Sequence, residues 1–183
     1  RVLATVLVNL MDLVEDDFVM KVASIVAQYR VDGYYLVFVS DTQLRRELDN
    51  PDEIAGAMRL VYELENTGFP VTVAFSSSDM LLWKAAGASH CGTGKHFCLR
   101  RFTSSRYEEP PFGHGQLPYW FEHSLLSFLR EADVWRLLKE GKGPLVNQGP
   151  SSNYWSATIQ AQWSNDPGKA WVGVGWRQYL SWF

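Results

Sequence analysis

The chain has little of several features that would define a protein class directly. Only Cys91 and Cys98 are cysteines among 183 residues, which excludes a small domain held together by disulfides. No run of about 18 or more uncharged apolar residues occurs, so we expect no membrane-spanning helix. Neither sign of charge is in large excess, since 17 Lys and Arg stand against 20 Asp and Glu. Non-specific nucleic-acid binding needs surplus positive charge, so this partner class is not favoured.

Apolar residues, by contrast, are plentiful and unevenly distributed. They make up 46% of the chain, enough for a folded core, and this excludes disorder of the whole. Seven of the eight tryptophans lie between Trp120 and Trp182. We predict three parts: a strand-helix region over 1–104, a Pro/Gly linker loop over 105–118, and an aromatic-rich helical extension over 119–183 that packs on the first region. In the extension, apolar residues at helical spacing predict a helix from Phe121 to about Glu140.

Apolar runs alternate with helical patterns in the first 104 residues. Strands are predicted over 2–8, 34–39, 71–75 and 88–91, and they read as buried on both faces. Asn50 and Pro51 predict a helix start, Gly68 predicts its end, and a further helix is predicted from His96 to Phe102. The fold class is therefore α/β, with parallel strands joined by right-handed crossovers.

Two architectures fit this alternation: an open doubly wound sheet or part of a (β/α)8 barrel. Four strands cannot close a barrel, which needs about eight. Because the chain enters its first strand almost at Arg1, we expect the C-terminal half of a longer barrel, completed by polypeptide upstream of Arg1 or by a partner chain. The alternative is a small, complete α/β domain with four parallel strands.

Residues 71–78 (VTVAFSSS) and 87–94 (GASHCGTG) resemble the last two strands of a phosphate-binding (β/α)8, or TIM, barrel. In that family the next-to-last strand ends in small polar residues, and the last strand ends in Gly-x-Gly before a helix. The resemblance implies a phosphate-bearing ligand. The tripeptide Asp32-Gly33-Tyr34 is also similar to a segment of the tRNA-guanine transglycosylases, which are barrels, but the cysteines of their zinc site have no counterpart here.

The candidate site residues follow from topology, because both architectures bind ligands at the carboxyl ends of their strands. The predicted catalytic residues are Asp12, Asp41 and Asp79. The predicted ligand-binding residues are Asn9, Ser40, Ser76, Ser77, Ser78, Gly92, Thr93, Gly94 and Lys95. Grouped carboxylates serve as acid/base groups or as metal ligands, whereas a lone Asp before a helix serves as its cap. Glycine amides and a lysine suit an anion.

The remaining polar residues give weaker patterns. Lys95, Arg100, Arg101 and Arg106 form a basic cluster that either contacts phosphates or lies on a solvated helix face, and we favour the solvated face. The positions of His90, Cys91, His96 and Cys98 do not match zinc-site spacing, so no metal is assigned, and a Cys91 nucleophile is a further reading. Two reduced cysteines favour a cytoplasmic location.

The leading hypothesis is a (β/α)-barrel enzyme, or a fragment of one, that binds an anionic nucleotide or phosphosugar at the strand ends. One alternative is a non-catalytic protein-interaction module that uses the Trp-rich helices. A minor alternative is a nucleobase-modifying, transglycosylase-like barrel, for which Asp12 or Asp41 would line a pocket beside a basic rim. The sequence assigns no cofactor and leaves catalysis itself open.

Overall fold

The computed structural model describes residues 2–42, 46–96, 99–104, 119–140, 154–165 and 172–182. The chain forms two compact units, Arg1–Glu108 and Glu109–Phe183. The division falls within residues 105–118, the predicted linker loop. This segment, which includes Arg106, lies outside the described residues, and so does Cys98. Among the described residues, no helix combines the length and the apolar character needed to cross a membrane.

The first unit contains a four-stranded parallel sheet, as the alternation predicts. Its strands are β1 (Leu3–Asn9), β2 (Gly33–Val39), β3 (Val71–Ala74) and β4 (His90–Cys91), in the order β1-β2-β3-β4. A 3-10 helix (Leu10–Val14) and α1 (Asp16–Val26) connect β1 to β2, whereas α2 (Pro51–Glu65) and α3 (Met80–Ala85) precede β3 and β4. The α/β class is confirmed.

Local signals explain where α2 begins and ends. The Asn50 side chain caps it by accepting a hydrogen bond from the Asp52 N–H at 3.1 Å, and Pro51 fills the first helical turn, where a missing N–H costs nothing. After the helix, Gly68 adopts φ +84°, a left-handed conformation that glycine tolerates without strain. Both boundary predictions are confirmed.

The helices pack along the sheet on the same side. Crossovers between parallel strands are right-handed, so a sequential strand order keeps successive helices on one face. Gly56 lets α2 approach the 3-10 helix closely, because a Cβ there would lie 1.9 Å from the Leu13 carbonyl oxygen. The Trp83 ring of α3 lies 5.1 Å from the Phe38 ring of β2. Strand side chains and helices thus share one buried layer.

The prediction that the strands are buried on both faces is wrong for β1. Its Val6 and Val8 are buried, but Leu3 and Leu7 on the opposite face are 48% and 59% exposed. The physical reason is that the helices pack on the face of Val6 and Val8, whereas the described residues of this unit leave Leu3 and Leu7 on the other face open. An apolar run alone does not show whether both faces of a strand are covered.

The predicted helix from His96 to Phe102 is present only as a 3-10 turn at Leu99, whose N–H donates to the His96 carbonyl at 2.8 Å, and it does not extend to Phe102. Lys95 and His96 form a bend, and Phe102 makes a parallel bridge with Val39 at the end of β2. The Ser40 N–H donates to the Phe102 carbonyl at 3.0 Å, so the chain takes an extended form to pair there.

This path buries Arg100 completely and leaves Arg101 4% exposed. The assignment of these two arginines to a solvated helix face is therefore wrong.

The second unit is not all helical. A hairpin of β5 (Tyr119–Glu122) and β6 (Ser127–Arg130) replaces the first half of the helix predicted from Phe121 to about Glu140. Helices α4 (Glu131–Lys139), α5 (Tyr154–Asn165) and α6 (Val172–Leu180) follow. Phe121 and Phe128, seven residues apart, fit a helical stripe but are cross-strand partners with rings 5.1 Å apart.

The core of this unit includes a side chain that bonds to the backbone of a strand. The buried Gln178 amide accepts a hydrogen bond from the Phe121 N–H and donates one to the Phe121 carbonyl, both at 2.9 Å.

Candidate functional site

Polar side chains of the first unit meet where β2 and β3 end. Ser40, Asp79 and Arg101 line a small cavity together with Phe75 and Trp83. The centre of a water molecule can occupy about 10 Å³ of this cavity, which is enough room for one water. The topology therefore brings two predicted residues, Ser40 and Asp79, to the same cavity.

Asp79 and Arg101 form a buried ion pair in this cavity. The Arg101 Nη2 lies 3.5 Å from the Asp79 Oδ2 and 3.9 Å from the Glu47 Oε2, so two carboxylates face one guanidinium nitrogen. The Asp79 Oδ1 accepts a hydrogen bond from the Ser77 N–H at 2.7 Å, and Ser78 donates its hydroxyl to Glu47. The Arg101 guanidinium also donates to the Arg46 carbonyl, which anchors it against the loop before α2.

The surroundings of Asp79 favour its neutral form. Burial raises the pKa of its carboxyl to about 6, because the loss of hydration outweighs the attraction of Arg101 and the hydrogen bond from Ser77. The charge of Glu47 adds to the rise, and that of Arg100 opposes it. A carboxyl with this pKa holds and releases a proton near neutral pH.

The alternative role proposed for Asp79, capping a helix, is not what its side chain does. The residue precedes α3, but its own backbone is already helical, and its carboxylate makes no cap hydrogen bond. The carboxylate points instead to Ser77 and Arg101.

A second, larger pocket lies beside the first and shares Ala74 and Phe75 with it. It has a volume of about 230 Å³, and Tyr35 and Leu99 form its other walls with the loop of Gly92, Thr93 and Gly94. Three of the predicted ligand-binding residues therefore line an open pocket at the carboxyl end of the sheet. Lys95 is exposed and lies outside this lining.

The loop holds its shape with the backbone of Gly92 and leaves later donors available. The Gly92 N–H donates to the Val73 carbonyl at 2.8 Å, and its carbonyl accepts from the Ser76 N–H at 2.9 Å. Within the described residues, the N–H groups of Thr93 and Gly94 meet no acceptor, and the buried Thr93 hydroxyl has no hydrogen-bond partner. Two amides thus remain to bind an anion, whereas the Thr93 hydroxyl is shut off from solvent and is not available to one.

The other predicted residues have local roles or lie in solvent. Asp12 is exposed in the 3-10 helix, and Asp41 is exposed and accepts a hydrogen bond from the Ser104 hydroxyl at 3.3 Å. Neither lines the two pockets. The Asn9 side chain accepts from the Met11 N–H, and the Ser40 hydroxyl accepts from the Thr42 N–H, so both organise turns. The buried Ser76 hydroxyl donates to the Val73 carbonyl at 3.3 Å.

Sequence reasoning missed four residues of this site: Glu47, Arg101, Tyr35 and Phe75. Arg101 belongs to the basic cluster that follows the Gly-x-Gly turn, but the predicted helix placed it on a solvated face and not in the site. Phe75 adopts φ +56°, and no sequence pattern predicts this conformation for an aromatic residue. Glu47 lies in a loop that no pattern connects with Ser78.

The surroundings of Cys91 do not favour its use as a nucleophile. Burial raises the pKa of the Cys91 thiol, which disfavours the reactive thiolate, and its sulfur contacts the Met80 carbonyl at 3.8 Å. In the described part of the chain, no group of three or more His, Cys, Asp or Glu side chains is arranged to hold a metal ion.

The tryptophans of the second unit whose side chains are described differ in burial. Trp120 is buried and donates its indole N–H to Glu122 at 3.1 Å. Trp155 and Trp176 are half-buried, and the Arg177 guanidinium lies 4.7 and 5.2 Å from their rings. Trp120 is therefore a core residue, whereas Trp155 and Trp176 stay partly exposed beneath an exposed arginine.

Comparison with protein-family models, with curated proteins and with solved structures finds no match to this chain.

Proposed function

We propose that the first unit is part of a (β/α)8-barrel enzyme that binds a phosphate-bearing ligand at the carboxyl ends of its strands. One observation carries the proposal: an open pocket with unused hydrogen-bond donors adjoins a buried carboxyl with a pKa near neutrality. Ala74 and Phe75 are the wall between the two. The pocket would supply binding, and Asp79 would supply proton transfer once Phe75, which separates the two, moves aside, since a general acid or base must come within hydrogen-bond reach of its ligand.

The strand order supports the barrel over a doubly wound sheet. A doubly wound sheet reverses its strand order at a switch point and carries helices on both faces. Here the order is sequential throughout, and the 3-10 helix, α1, α2 and α3 form one layer. A closed barrel needs about eight strands, so the proposal requires further strands from the same polypeptide or from a partner chain.

The chemistry of the loop supports an anion as the ligand. Backbone amides that lack acceptors provide partial positive charge at fixed positions, and a phosphate oxygen is a strong acceptor for them. A neutral ligand would leave these donors less well satisfied.

Asp79 is the residue that we assign to proton transfer. Arg101 keeps the cavity polar enough to hold a water, and the pKa of about 6 lets Asp79 give or accept a proton at physiological pH. Asp12 and Asp41 are exposed and have no such environment, so we assign them no catalytic role.

The test is a titration of the full chain with inorganic phosphate, followed through the amide NMR signals of Thr93 and Gly94. A Gly92→Asp substitution places a negative charge in the loop and should weaken binding at least about tenfold. Gly92→Ala is the matched control, since its Cβ would meet no atom closer than 3.9 Å. Gly94 is unsuitable, because a Cβ there would lie 2.2 Å from the Leu99 Cβ.

Sodium chloride at the same ionic strength controls for screening. If phosphate moves neither amide signal, or if Gly92→Asp binds it as well as Gly92→Ala does, the loop is not an anion site and the proposal fails.

A further inference from the structure

The larger pocket has two chemically different sides. The loop of Gly92, Thr93 and Gly94 contributes backbone donors, whereas Tyr35, Phe75 and Leu99 contribute a wall that is mostly aromatic and aliphatic. Ligand pockets with this division bind molecules that are themselves divided into an apolar part and a polar or charged part.

Phe75 is held in a costly conformation to form part of this wall. Its φ of +56° lies in the left-handed region, where a side chain strains the backbone and glycine is favoured. The strain is concentrated at the point where β3 ends and both pockets begin. The Phe75 ring packs edge-on against Phe102, with centroids 5.3 Å apart and planes at 72°. Strain retained beside a pocket indicates that the ring itself has a role there.

The walls discriminate between the two ligand classes that a phosphate site serves. A phosphosugar carries several hydroxyl groups, and each needs a hydrogen-bond partner when it leaves water. Apart from the loop, the described lining offers one polar side-chain group, the Tyr35 phenol. A nucleobase has a flat face that stacks on aromatic rings and loses little on leaving water.

We infer that the ligand is a nucleoside monophosphate, with its phosphate on the Gly92–Gly94 loop and its base against the wall of Phe75 and Tyr35. This inference rests on the proposed function, because it needs the loop to bind phosphate. It adds the class of the remainder of the ligand.

The experiment compares four probes on the full chain by calorimetry and amide NMR: AMP, UMP, ribose 5-phosphate and adenosine. The two nucleotides should bind at least about tenfold more tightly than ribose 5-phosphate, since base stacking on aromatic side chains contributes at this level. Phe75→Leu keeps an apolar wall but removes the ring, and it should weaken AMP binding about tenfold while leaving ribose 5-phosphate unchanged.

Phe69→Leu is the matched control, since Phe69 is 40% exposed and precedes β3 at the opposite end of the sheet. Tyr35→Leu gives a second test of the wall if the Phe75 variant folds poorly, as judged by near-ultraviolet circular dichroism.

The outcomes separate this inference from the proposed function. Ribose 5-phosphate binding as tightly as AMP, with both weakened by Gly92→Asp, overturns the nucleotide inference and leaves the phosphate site intact. AMP binding that neither Phe75→Leu nor Tyr35→Leu weakens also overturns it. Failure of all phosphate-bearing probes to bind overturns both.

Discussion

Two carboxylates at opposite ends of the same sheet have opposite environments. At the amino end, a single oxygen of Glu65 accepts hydrogen bonds from the Val71 N–H at 2.9 Å and the Ser89 N–H at 2.6 Å. At the carboxyl end, Asp79 accepts one backbone hydrogen bond and faces Arg101 at 3.5 Å, a long distance for an ion pair.

The difference separates a carboxylate that stabilises the fold from one that does not. Glu65 satisfies two backbone donors at the start of β3 and just before β4, and it remains partly in contact with water. Asp79 is buried, and its partners do not compensate for the lost hydration, so its charged form lowers stability. Functional sites commonly retain groups of this kind, because activity needs them although stability does not.

The largest effect should come from Glu65→Ala. This substitution leaves the Val71 and Ser89 amides without their acceptor and removes two charge-assisted hydrogen bonds, so we expect unfolding free energy to fall by about 3 kcal/mol. Glu65→Gln keeps an acceptor oxygen and should lose about 1 kcal/mol. Urea denaturation at pH 7 measures both. Equal and small losses in the two variants would mean that Glu65 does not anchor these strands.

For Asp79→Asn we expect the free energy of unfolding to rise and not to fall. The native pKa of about 6 lies above the value of an unfolded Asp, so the native state binds more protons between about pH 4 and pH 6. Wild-type stability therefore falls as pH rises through this window, whereas the variant has no proton to lose there. At pH 8 the variant should be more stable by about 2 kcal/mol, and at pH 4 the two should be alike.

Urea denaturation of both proteins from pH 4 to pH 8 isolates the contribution of the Asp79 proton, since the two proteins share every other titratable group. Arg101 keeps Glu47 at 3.9 Å as a partner in the variant. A variant that is less stable than the wild type at pH 8 would show that the ion pair stabilises the native state, and the contrast between the two carboxylates would disappear.

Much of the first unit was predictable because its signals are local. The apolar runs before Asn9 and Ser40 and the pair Asn50-Pro51 give strands and a helix start through interactions within a few residues. Topology then places strand ends together, which is why Ser40 and Asp79 could be named as neighbours without any motif.

The rest depends on contacts between distant residues. Arg101 reaches Asp79 only because Phe102 bridges to Val39, a pairing 63 residues apart that no local pattern encodes. The hairpin in the second unit was missed for the same reason, since Phe121 and Phe128 satisfy helical and cross-strand spacing equally. The strain at Phe75 has no sequence signal at all.

The smallest effect concerns the wall between the two pockets. Phe75→Gly relieves the left-handed strain and removes the ring that separates Asp79 from the open pocket, so water should reach the carboxyl. Since desolvation is the main cause of the raised pKa, we expect the pKa of Asp79 to fall by about one unit, measured by carboxyl carbon NMR. Phe75→Leu keeps a wall of similar size and should leave the pKa near its wild-type value. An unchanged pKa in the glycine variant would mean that other neighbours dehydrate Asp79. In that event the carboxyl would have no route to a ligand in the larger pocket, and its environment would differ from that of Glu65 for structural reasons alone.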